Sequence, residues 1–201
     1  MPRSKELSEA MRAAAKEKIL AAALTLFSEK GISATGVKEI AALAGVSSGL
    51  LYHYFKTKDE IFVALVKQAQ KGQEAVGAFL MEGNPAVKIK DYLGTVLDDI
   101  AEDGESSRMM NLFTSAFIEN IDFPGRDEIL EGSQNFENQL RDLIARGQAE
   151  GVFKEGNPVA MAQLLIVIVN ALCGMKLGYK DKSVLPTVEM LTAFILKEEY
   201  N

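Results

Sequence analysis

The stretch from Thr35 to Phe55, TGVKEIAALAGVSSGLLYHYF, constrains the fold more than any other part of this 201-residue chain. Its first apolar residues recur at i, i+3, i+4 and i+7, which predicts a helix of about two turns with one apolar face. These residues are Val37, Ile40, Ala41 and Ala44. Gly45 interrupts this helix, and Ser47 is placed to cap a second helix directly afterwards. The spacing therefore predicts two short helices at a steep angle.

Two capping signals define where these helices and the next one begin. Gly36 occupies the N-cap position of the first helix, and the Glu39 carboxylate is placed to reach back to the cap N–H. Further on, Thr57-Lys58-Asp59-Glu60 is a capping box that opens a longer helix. Lys58 therefore lies at a helix N-terminus, where free N–H groups and the dipole also attract an anion. We therefore expect a phosphate group to bind at this position.

The second short helix is predicted to have one face turned inward and one turned to solvent. Leu51, Tyr54 and Phe55 share the inward face. The outward face carries hydroxyl groups, an imidazole, a cation and the bare backbone of a glycine, contributed by Ser47, Ser48, Gly49, Tyr52, His53 and Lys56. Such a surface suits close approach to a phosphodiester backbone and to base edges, so we interpret the helix as a DNA recognition helix.

The charge distribution agrees with this interpretation although the net charge of −6 does not. Residues 1–58 contain nine Lys and Arg against five Asp and Glu, whereas residues 59–201 contain thirteen against twenty-three. The N-terminal part is therefore the cationic end of an acidic protein. A protein that docks one face on DNA requires such an asymmetry.

Residues 31–62, GISATGVKEIAALAGVSSGLLYHYFKTKDEIF, resemble the DNA-binding signature of the TetR family of bacterial transcriptional repressors. The likeness covers Ala-Gly-Val-Ser, the glycine of the recognition helix, Leu-Tyr-x-Tyr-Phe and the Lys-x-Lys before the fourth helix. One departure is Gly36, where the family usually has Thr or Ser. Any phosphate contact there would have to come from the backbone N–H of Gly36 or from neighbouring Thr35.

The resemblance and the outward face together define a set of candidate DNA-binding residues. The set is Thr35, Gly36, Lys38, Ser47, Ser48, Gly49, Leu50, Tyr52, His53 and Lys58. Leu50 offers only van der Waals contact, for example to a thymine methyl group. A simpler alternative stays open, in which Tyr52 and His53 are ordinary exposed residues and Ser47 is only a cap.

The remaining sequence predicts an all-α protein of about nine helices, because no stretch shows sustained two-residue alternation with hairpin turns. We expect a helix-turn-helix DNA-binding domain at residues 1–56 and a helical regulatory, ligand-binding and dimerisation domain at residues 57–201. The predicted helices are Ser8–Lys30, the two short helices, Thr57–Met81, Pro85–Glu102, Ser107–Asn120, Asp127–Glu150, a helix of some twenty residues before Gly178, and Pro186–Lys197. Residues 1–9 are expected to be mobile, although Arg3 and Lys5 are able to act as a DNA-binding arm.

The segment Val159–Met175 contains no charged residue and is the most ambiguous part of the chain. It is compatible with a buried strand, a membrane span or a buried helix. Asn157-Pro158 and Gly178 frame a helix, and the polar Gln163 and Asn170 argue against a bilayer. With the last helix, which repeats Val188, Leu191, Thr192 and Ile195, it predicts a homodimer through the last two helices.

Several classes of function are not supported by the residues available. One cysteine, Cys173, and one histidine, His53, provide neither an internal disulfide nor a Cys/His metal cluster. No Ser-His-Asp or Cys-His set is visible away from the recognition helix, so we expect neither an enzyme nor a cofactor. The charged N-terminus lacks a signal-peptide core, and a cytoplasmic location is expected.

The resemblance implies that the C-terminal domain encloses a small-molecule pocket whose occupancy releases the protein from a palindromic operator. The candidate pocket residues are Tyr92, Met110, Phe113, Phe117 and Phe136, because aromatic and Met side chains form adaptable apolar walls. Plain core packing is the alternative for each. If the pocket exists, we expect a small, mainly apolar effector. The alternatives to a repressor of this kind are a helical interaction protein and a DNA-binding protein without an effector.

Overall fold

The computed structural model of the chain describes residues 3–118, 126–179 and 184–201. Within these ranges nine α-helices are followed by a short C-terminal 3-10 helix. The α-helices are α1 Arg3–Lys30, α2 Val37–Leu43, α3 Ser48–Tyr54, α4 Lys58–Met81, α5 Pro85–Ala101, α6 Glu105–Ile118, α7 Arg126–Ala149, α8 Pro158–Tyr179 and α9 Val188–Thr192. The predicted all-α class is confirmed, and α4, α5, α7 and α8 begin and end within about two residues of their predicted limits. Helix α6 begins within two residues of its predicted start, and its predicted end at Asn120 lies outside the described residues.

The described residues pack as two compact units. The head unit comprises those of Met1–Lys67 and Leu112–Pro124, and the body unit comprises those of Gln68–Asn111 and Gly125–Asn201. The divisions fall inside α4 and inside α6. These are units of packing, and the functional boundary expected after residue 56 stays a prediction.

Helix α1 starts earlier than its sequence suggested. It begins at Arg3, whereas a start near Ser8 was expected. From Arg3 to Lys30 the chain contains no glycine or proline and is rich in Ala, Leu, Glu and Lys, so nothing stops the helix from extending towards the N-terminus. It ends at Gly31, whose φ of +81° favours glycine. The side chains of Arg3 and Lys5, the expected arm, lie outside the described residues.

The core of the head unit joins α1, α2, α3 and the start of α4. Its largest fully buried side chains are Ile19, Phe27, Ile40, Leu51, Ile61, Phe62 and Leu65. The predicted stripe of α1 is largely confirmed, because Ile19, Ala23 and Phe27 are at most 1% exposed. This core fixes α2 and α3 against the long helices on either side of them in the sequence.

The core of the body unit brings α5, α7, α8 and α9 together. Its fully buried members include Ile89, Leu93, Ile100, Leu140, Leu143, Ile144, Ala162 and Leu165. Arg146 of α7 donates to the last carbonyls of α4, to Leu80 at 3.1 Å and to Met81. Its guanidinium group therefore satisfies C-terminal carbonyls that have no partner within their own helix.

The C-terminal helix is shorter than the sequence predicted. A helix over Pro186–Lys197 was expected, but α9 spans only Val188–Thr192. Residues beyond it pair with the segment after α7: the Lys154 N–H donates to the Ile195 carbonyl at 2.7 Å, and Phe153 forms an isolated antiparallel bridge with Leu196. This tertiary pairing uses backbone groups that a longer helix would need, so it ends the helix.

Helix α8 resolves the ambiguity of the uncharged segment as a helix. Among the described residues, it alone is long and apolar enough to cross a membrane by length and composition, which by itself is weak evidence for a membrane span. Ala162, Leu165, Val169 and Cys173 on one side are buried in the body core. Its opposite side is exposed, including Val167 at 62%.

Candidate nucleic-acid interface

Helix α2 begins with the backbone arrangement that its sequence predicted. Gly36 is its N-cap, with extended backbone angles, and its N–H donates to Oε2 of Glu39 at 2.7 Å. The other Glu39 oxygen accepts from Nζ of Lys30 at 2.6 Å. Both interactions lower the pKa of Glu39, the hydrogen bond from Lys30 more than that from Gly36. One carboxylate thus joins the end of α1 to the start of α2.

The turn between α2 and α3 depends on Gly45 and Ser47. Gly45 adopts a φ of +66°, and the following Val46 N–H donates to the Ala41 carbonyl at 3.0 Å. The Ser47 hydroxyl accepts from the Leu50 N–H at 3.1 Å and caps α3. The glycine bend and the serine cap therefore produce the two successive helices of a helix-turn-helix.

Helix α3 separates an inward face from a solvent face, as expected. Leu51 and Phe55 are buried at 1% and 4% exposure, while Tyr54 is half-buried. On the other side, Gly49, Leu50, Tyr52 and His53 are exposed and Ser48 is half-buried. We call Ser48, Gly49, Leu50, Tyr52 and His53 the recognition face. It presents a hydroxyl-rich surface with an imidazole at the end of the short helix.

Thr35 and Gly36 do not present the donors that the sequence suggested. Thr35 is only 2% exposed, and its hydroxyl donates to the carbonyls of Gly31 at 2.8 Å and Leu26 at 3.3 Å. The Gly36 N–H is taken by Glu39. The expectation of a phosphate contact from either group is therefore corrected: both groups close the loop between α1 and α2.

Lys58 also differs from its expected role. Its Nζ donates to the backbone carbonyls of Ile32 at 2.9 Å, Ser33 at 3.3 Å and Thr35 at 2.8 Å. An ammonium group has three N–H donors, so these three carbonyls satisfy it completely. The half-buried Lys58 side chain is therefore directed to the loop between α1 and α2.

Other cations remain accessible at the helix-turn-helix. Lys38 on α2 and Lys56 after α3 are both exposed. Lys56 was placed on the outward face by its sequence position but not in the predicted set, and its Nζ donates to the Tyr52 carbonyl at 2.8 Å. Lys16 of α1 lies 5.7 Å from the centroid of the Phe55 ring. Sequence periodicity had no means of finding Lys16, because its proximity to α3 depends on tertiary packing.

The candidate pocket residues are divided between the two units, and the pocket itself stays a prediction. Tyr92 is 9% exposed in the body core, with Met110 and Phe136 packed against that core. The Tyr92 and Phe136 ring centroids are 6.0 Å apart. Phe113 belongs to the head unit, where its ring lies 6.3 Å from that of Phe62. The side chain of Phe117 lies outside the described residues.

The buried titratable groups near Tyr92 are held in their neutral forms. Burial raises the pKa of Tyr92 far above that of an ordinary phenol. Burial, and then the charge of Asp99, raise the pKa of Cys173 to about 11. The Cys173 thiol lies 3.7 Å from the sulfur of Met110. A neutral, buried thiol is inert, and it packs as a small apolar group.

The body unit contains a polar trough between α4 and α7. It has a volume of about 560 Å³ and is lined by Gln70, Gln73, Glu74, Glu128, Glu131, Gly132, Asn135, Phe136, Asn138, Gln139 and Asp142. Of the predicted pocket residues with described side chains, only Phe136 reaches it. No arginine or lysine lines the trough, and no metal-binding cluster of His, Cys, Asp or Glu occurs among the described residues.

Comparison with known proteins agrees with this geometry. Residues 19–65 match the family model described as bacterial regulatory proteins, tetR family. The chain is 27% identical over 152 residues to the fatty acid metabolism regulator protein of Bacillus subtilis, covering 74% of this chain and 75% of that protein. It is 35% identical over 97 residues to the HTH-type transcriptional regulator RutR of Escherichia coli, covering 48% of this chain and 46% of RutR.

Solved structures extend the likeness beyond the N-terminal region. A TetR-family transcriptional regulator from Agrobacterium tumefaciens aligns with a TM-score of 0.71 at 21% identity, over 91% of this chain and 94% of that one. NalD of Pseudomonas aeruginosa, described as the secondary repressor of a multidrug efflux pump, aligns with a TM-score of 0.63 at 22% identity, over 96% and 99%. The names of these relatives are those of regulators and not of enzymes. In its capped helix-turn-helix, its match to the family model over residues 19–65 and its all-helical fold, this chain is similar to the TetR family of transcriptional regulators.

Proposed function

We propose that this regulator is a homodimeric repressor that binds a pseudo-palindromic operator through α3 and leaves it when a small molecule binds the body unit. The recognition face on a helix capped by Ser47 is the observation that carries this proposal. A two-fold protein presents two such helices to half-sites about one helical turn apart. The operator therefore has two copies of one short sequence in inverted order.

The recognition face assigns different kinds of contact to its residues. The Tyr52 hydroxyl and the exposed Lys38 and Lys56 side chains suit phosphate oxygens, which set position and affinity but not sequence. Ser48 and Leu50 lie near the N-terminal end of α3, the part of a recognition helix that reaches base edges. The bare backbone of Gly49 allows close approach there. Substitutions at Ser48 or Leu50 therefore alter which sequence is preferred.

The exposed side of α8 supports the dimer. Eight of its exposed residues follow one helical stripe and are small or apolar except for one glutamine: Ala160, Gln163, Leu164, Val167, Ala171, Gly174, Met175 and Gly178. The stripe predicted on the last helix packs differently, because Leu191, Thr192 and Ile195 are at most 5% exposed within the body unit. We therefore propose that the dimer interface lies mainly on α8, with a smaller share from the last helix than the sequence suggested.

The trough between α4 and α7 is our candidate effector site. Four carboxylates line it, and that of Asp142 accepts from Arg141 at 2.7 Å. Five amide side chains add hydrogen-bonding groups, and Phe136 supplies one apolar wall. This lining fits a cationic compound with several N–H donors better than the mainly apolar effector that the sequence suggested.

One two-part experiment tests the function. The full-length protein is allowed to select duplexes from a randomised library, and the selected duplex is then titrated across salt concentrations. We expect an inverted repeat and a log-affinity that falls steeply and linearly with log salt. Failure to select any sequence would favour the helical interaction protein.

The second part adds spermidine, decanoate or inorganic phosphate to the complex with the selected duplex. Spermidine is also tested against free DNA, because a polycation competes for phosphates by itself. We expect spermidine to raise the Tm of the free protein, to do so less in Glu131→Gln, and to release DNA from the wild-type protein. If only decanoate raised the Tm, the result would support the mainly apolar effector that the sequence suggested. If no compound had an effect, the result would favour a DNA-binding protein without an effector.

A further inference from the structure

Lys58 occupies a position that is unfavourable for a cation unless something compensates it. It is the first residue of α4, where the helix dipole and free N–H groups favour negative charge. Asp59 and Glu60 follow the usual preference for acidic residues in a first helical turn. A bound phosphate would compensate the lysine, but the structure supplies a different partner.

That partner is a cage of three backbone carbonyls, from Ile32, Ser33 and Thr35, which we call the loop cage. The three oxygens converge on Nζ of Lys58 at 2.9, 3.3 and 2.8 Å. Carbonyl dipoles that point at one spot repel one another unless a cation lies between them. The lysine and the loop therefore stabilise each other, across 23 to 26 positions of sequence.

The loop cage lies where α1 is joined to the helix-turn-helix. Gly31 turns the chain with its positive φ, and the Thr35 hydroxyl closes back on the Gly31 carbonyl at 2.8 Å. Gly36 then caps α2. The carbonyl carbon of Thr35 is bonded to the nitrogen of Gly36, the cap of α2. A group that binds the Thr35 carbonyl therefore also fixes where α2 begins.

We propose that Lys58 is a positioning residue: its ammonium group locks the loop before α2 onto the start of α4, and so holds the helix-turn-helix in its DNA-binding pose. Its charge is used inside the head unit and does not neutralise a phosphate. Only the part of the proposal that concerns DNA binding rests on the proposed function. The loop itself is testable without DNA.

The test uses full-length Lys58→Met, which keeps most of the aliphatic stem but removes all three donors. We expect a Tm lower by about 2–4 °C. Amide hydrogen exchange at Thr35 and Gly36 should become about tenfold faster, because local opening of the loop costs less. Lys38→Met, a matched change of an exposed lysine on α2, should leave both quantities unchanged. Unchanged exchange in Lys58→Met would overturn the proposal.

A DNA-binding measurement distinguishes a positioning role of Lys58 from a direct phosphate contact. Affinity for the duplex selected by the wild-type protein is measured across salt at a temperature where every variant is folded. We expect Lys58→Met to bind about tenfold more weakly at all salt concentrations with an unchanged salt slope. A phosphate contact would instead reduce the slope by about 0.9 for each lysine lost, or about 1.8 in a dimer. A reduction of that size would overturn the proposal whatever the stability.

Lys58→Arg provides a second variant in case Lys58→Met folds poorly. Arginine keeps the charge and binds phosphate at least as well as lysine, but its planar fork does not match three carbonyls that converge on one point. We expect Lys58→Arg to show fast loop exchange and reduced affinity with an unchanged slope. Wild-type exchange and affinity in Lys58→Arg would show that charge alone suffices, and would overturn the cage as the reason for the lysine.

Discussion

At the scale of single residues, several ionisable side chains of the head unit hold its loops together through hydrogen bonds and ion pairs. Glu39 lies between Nζ of Lys30 and the N–H of Gly36. A Cβ on Gly36 would lie 3.0 Å from the Glu39 carboxylate, so the glycine leaves room for this close approach. Gly36 has no hydroxyl to cap α2, and the Glu39 carboxylate instead stabilises the helix start by accepting from the Gly36 N–H.

The lowered pKa of Glu39 predicts a specific dependence of stability on pH. Because the pKa in the folded state lies below the ordinary value of 4.5, the carboxylate stabilises the fold above pH 4.5 and loses this contribution as pH falls through the folded pKa. Glu39→Gln should therefore lose less stability than the wild-type protein between about pH 6 and about pH 3. Denaturant titrations at each pH measure this difference.

A companion variant tests the stated cause. Lys30→Met removes the hydrogen bond that lowers the pKa most, so its pH dependence should fall between those of the wild-type protein and Glu39→Gln. Identical pH profiles for all three proteins would contradict the assignment. The Glu39 side chain is exposed, so the effect is expected to be small and to weaken with added salt.

At the scale of elements, α3 shows how seven residues serve packing and recognition together. Leu50 and Leu51 are neighbours of the same chemical type but differ in exposure, 37% against 1%. The Ser47 cap and the helical period turn one leucine outward and the other into the head core. The pair therefore separates the two roles of the helix.

Alanine substitutions at these two leucines should have opposite signatures. Leu51→Ala removes a fully buried side chain and should lower the free energy of unfolding by about 2–5 kcal/mol. Leu50→Ala should change stability by less than about 0.5 kcal/mol but shift the sequence that the protein selects. Denaturant titration and selection from a randomised library measure the two effects. A destabilised Leu50→Ala with unaltered selection would place Leu50 in the core instead of the interface.

At the scale of the whole molecule, α8 has one face in the body core and one face that is largely exposed among the described residues. Leu164 and Val167 are 47% and 62% exposed on the latter face. A contiguous apolar surface of this kind marks an interaction site. Because small residues alternate with larger ones along the stripe, a second copy of α8 is able to approach closely.

A charge on this face should convert the protein to a monomer. Val167→Glu would bury carboxylates at a two-fold contact without a partner, which costs far more than it does on a free surface. Sedimentation velocity should show a monomer, and binding to the inverted repeat should weaken to that of one half-site. Met190→Glu, at an α9 residue that is 66% exposed, should stay dimeric. A dimeric Val167→Glu would exclude α8 as the main interface.

The sequence by itself determined helices α2 and α3 and the outward face of α3. Helical periodicity, the Gly45 bend and the Ser47 cap act within a few residues, so the local pattern contains their whole cause. The all-α class and the inward position of Leu51 follow from the same short-range rules. The family resemblance likewise rested on residues that are contiguous in the chain.

Only the tertiary structure decided what distant groups do. Lys58 looked like a phosphate ligand because its sequence neighbours place it at a helix N-terminus, but its partners lie 23 to 26 residues away. The last helix stops early because Ile195 pairs with Lys154, far from it in sequence. Every residue has the same backbone carbonyl, so no pattern of residue types reveals which carbonyls accept hydrogen bonds from distant groups. Their meeting is fixed only when the chain packs.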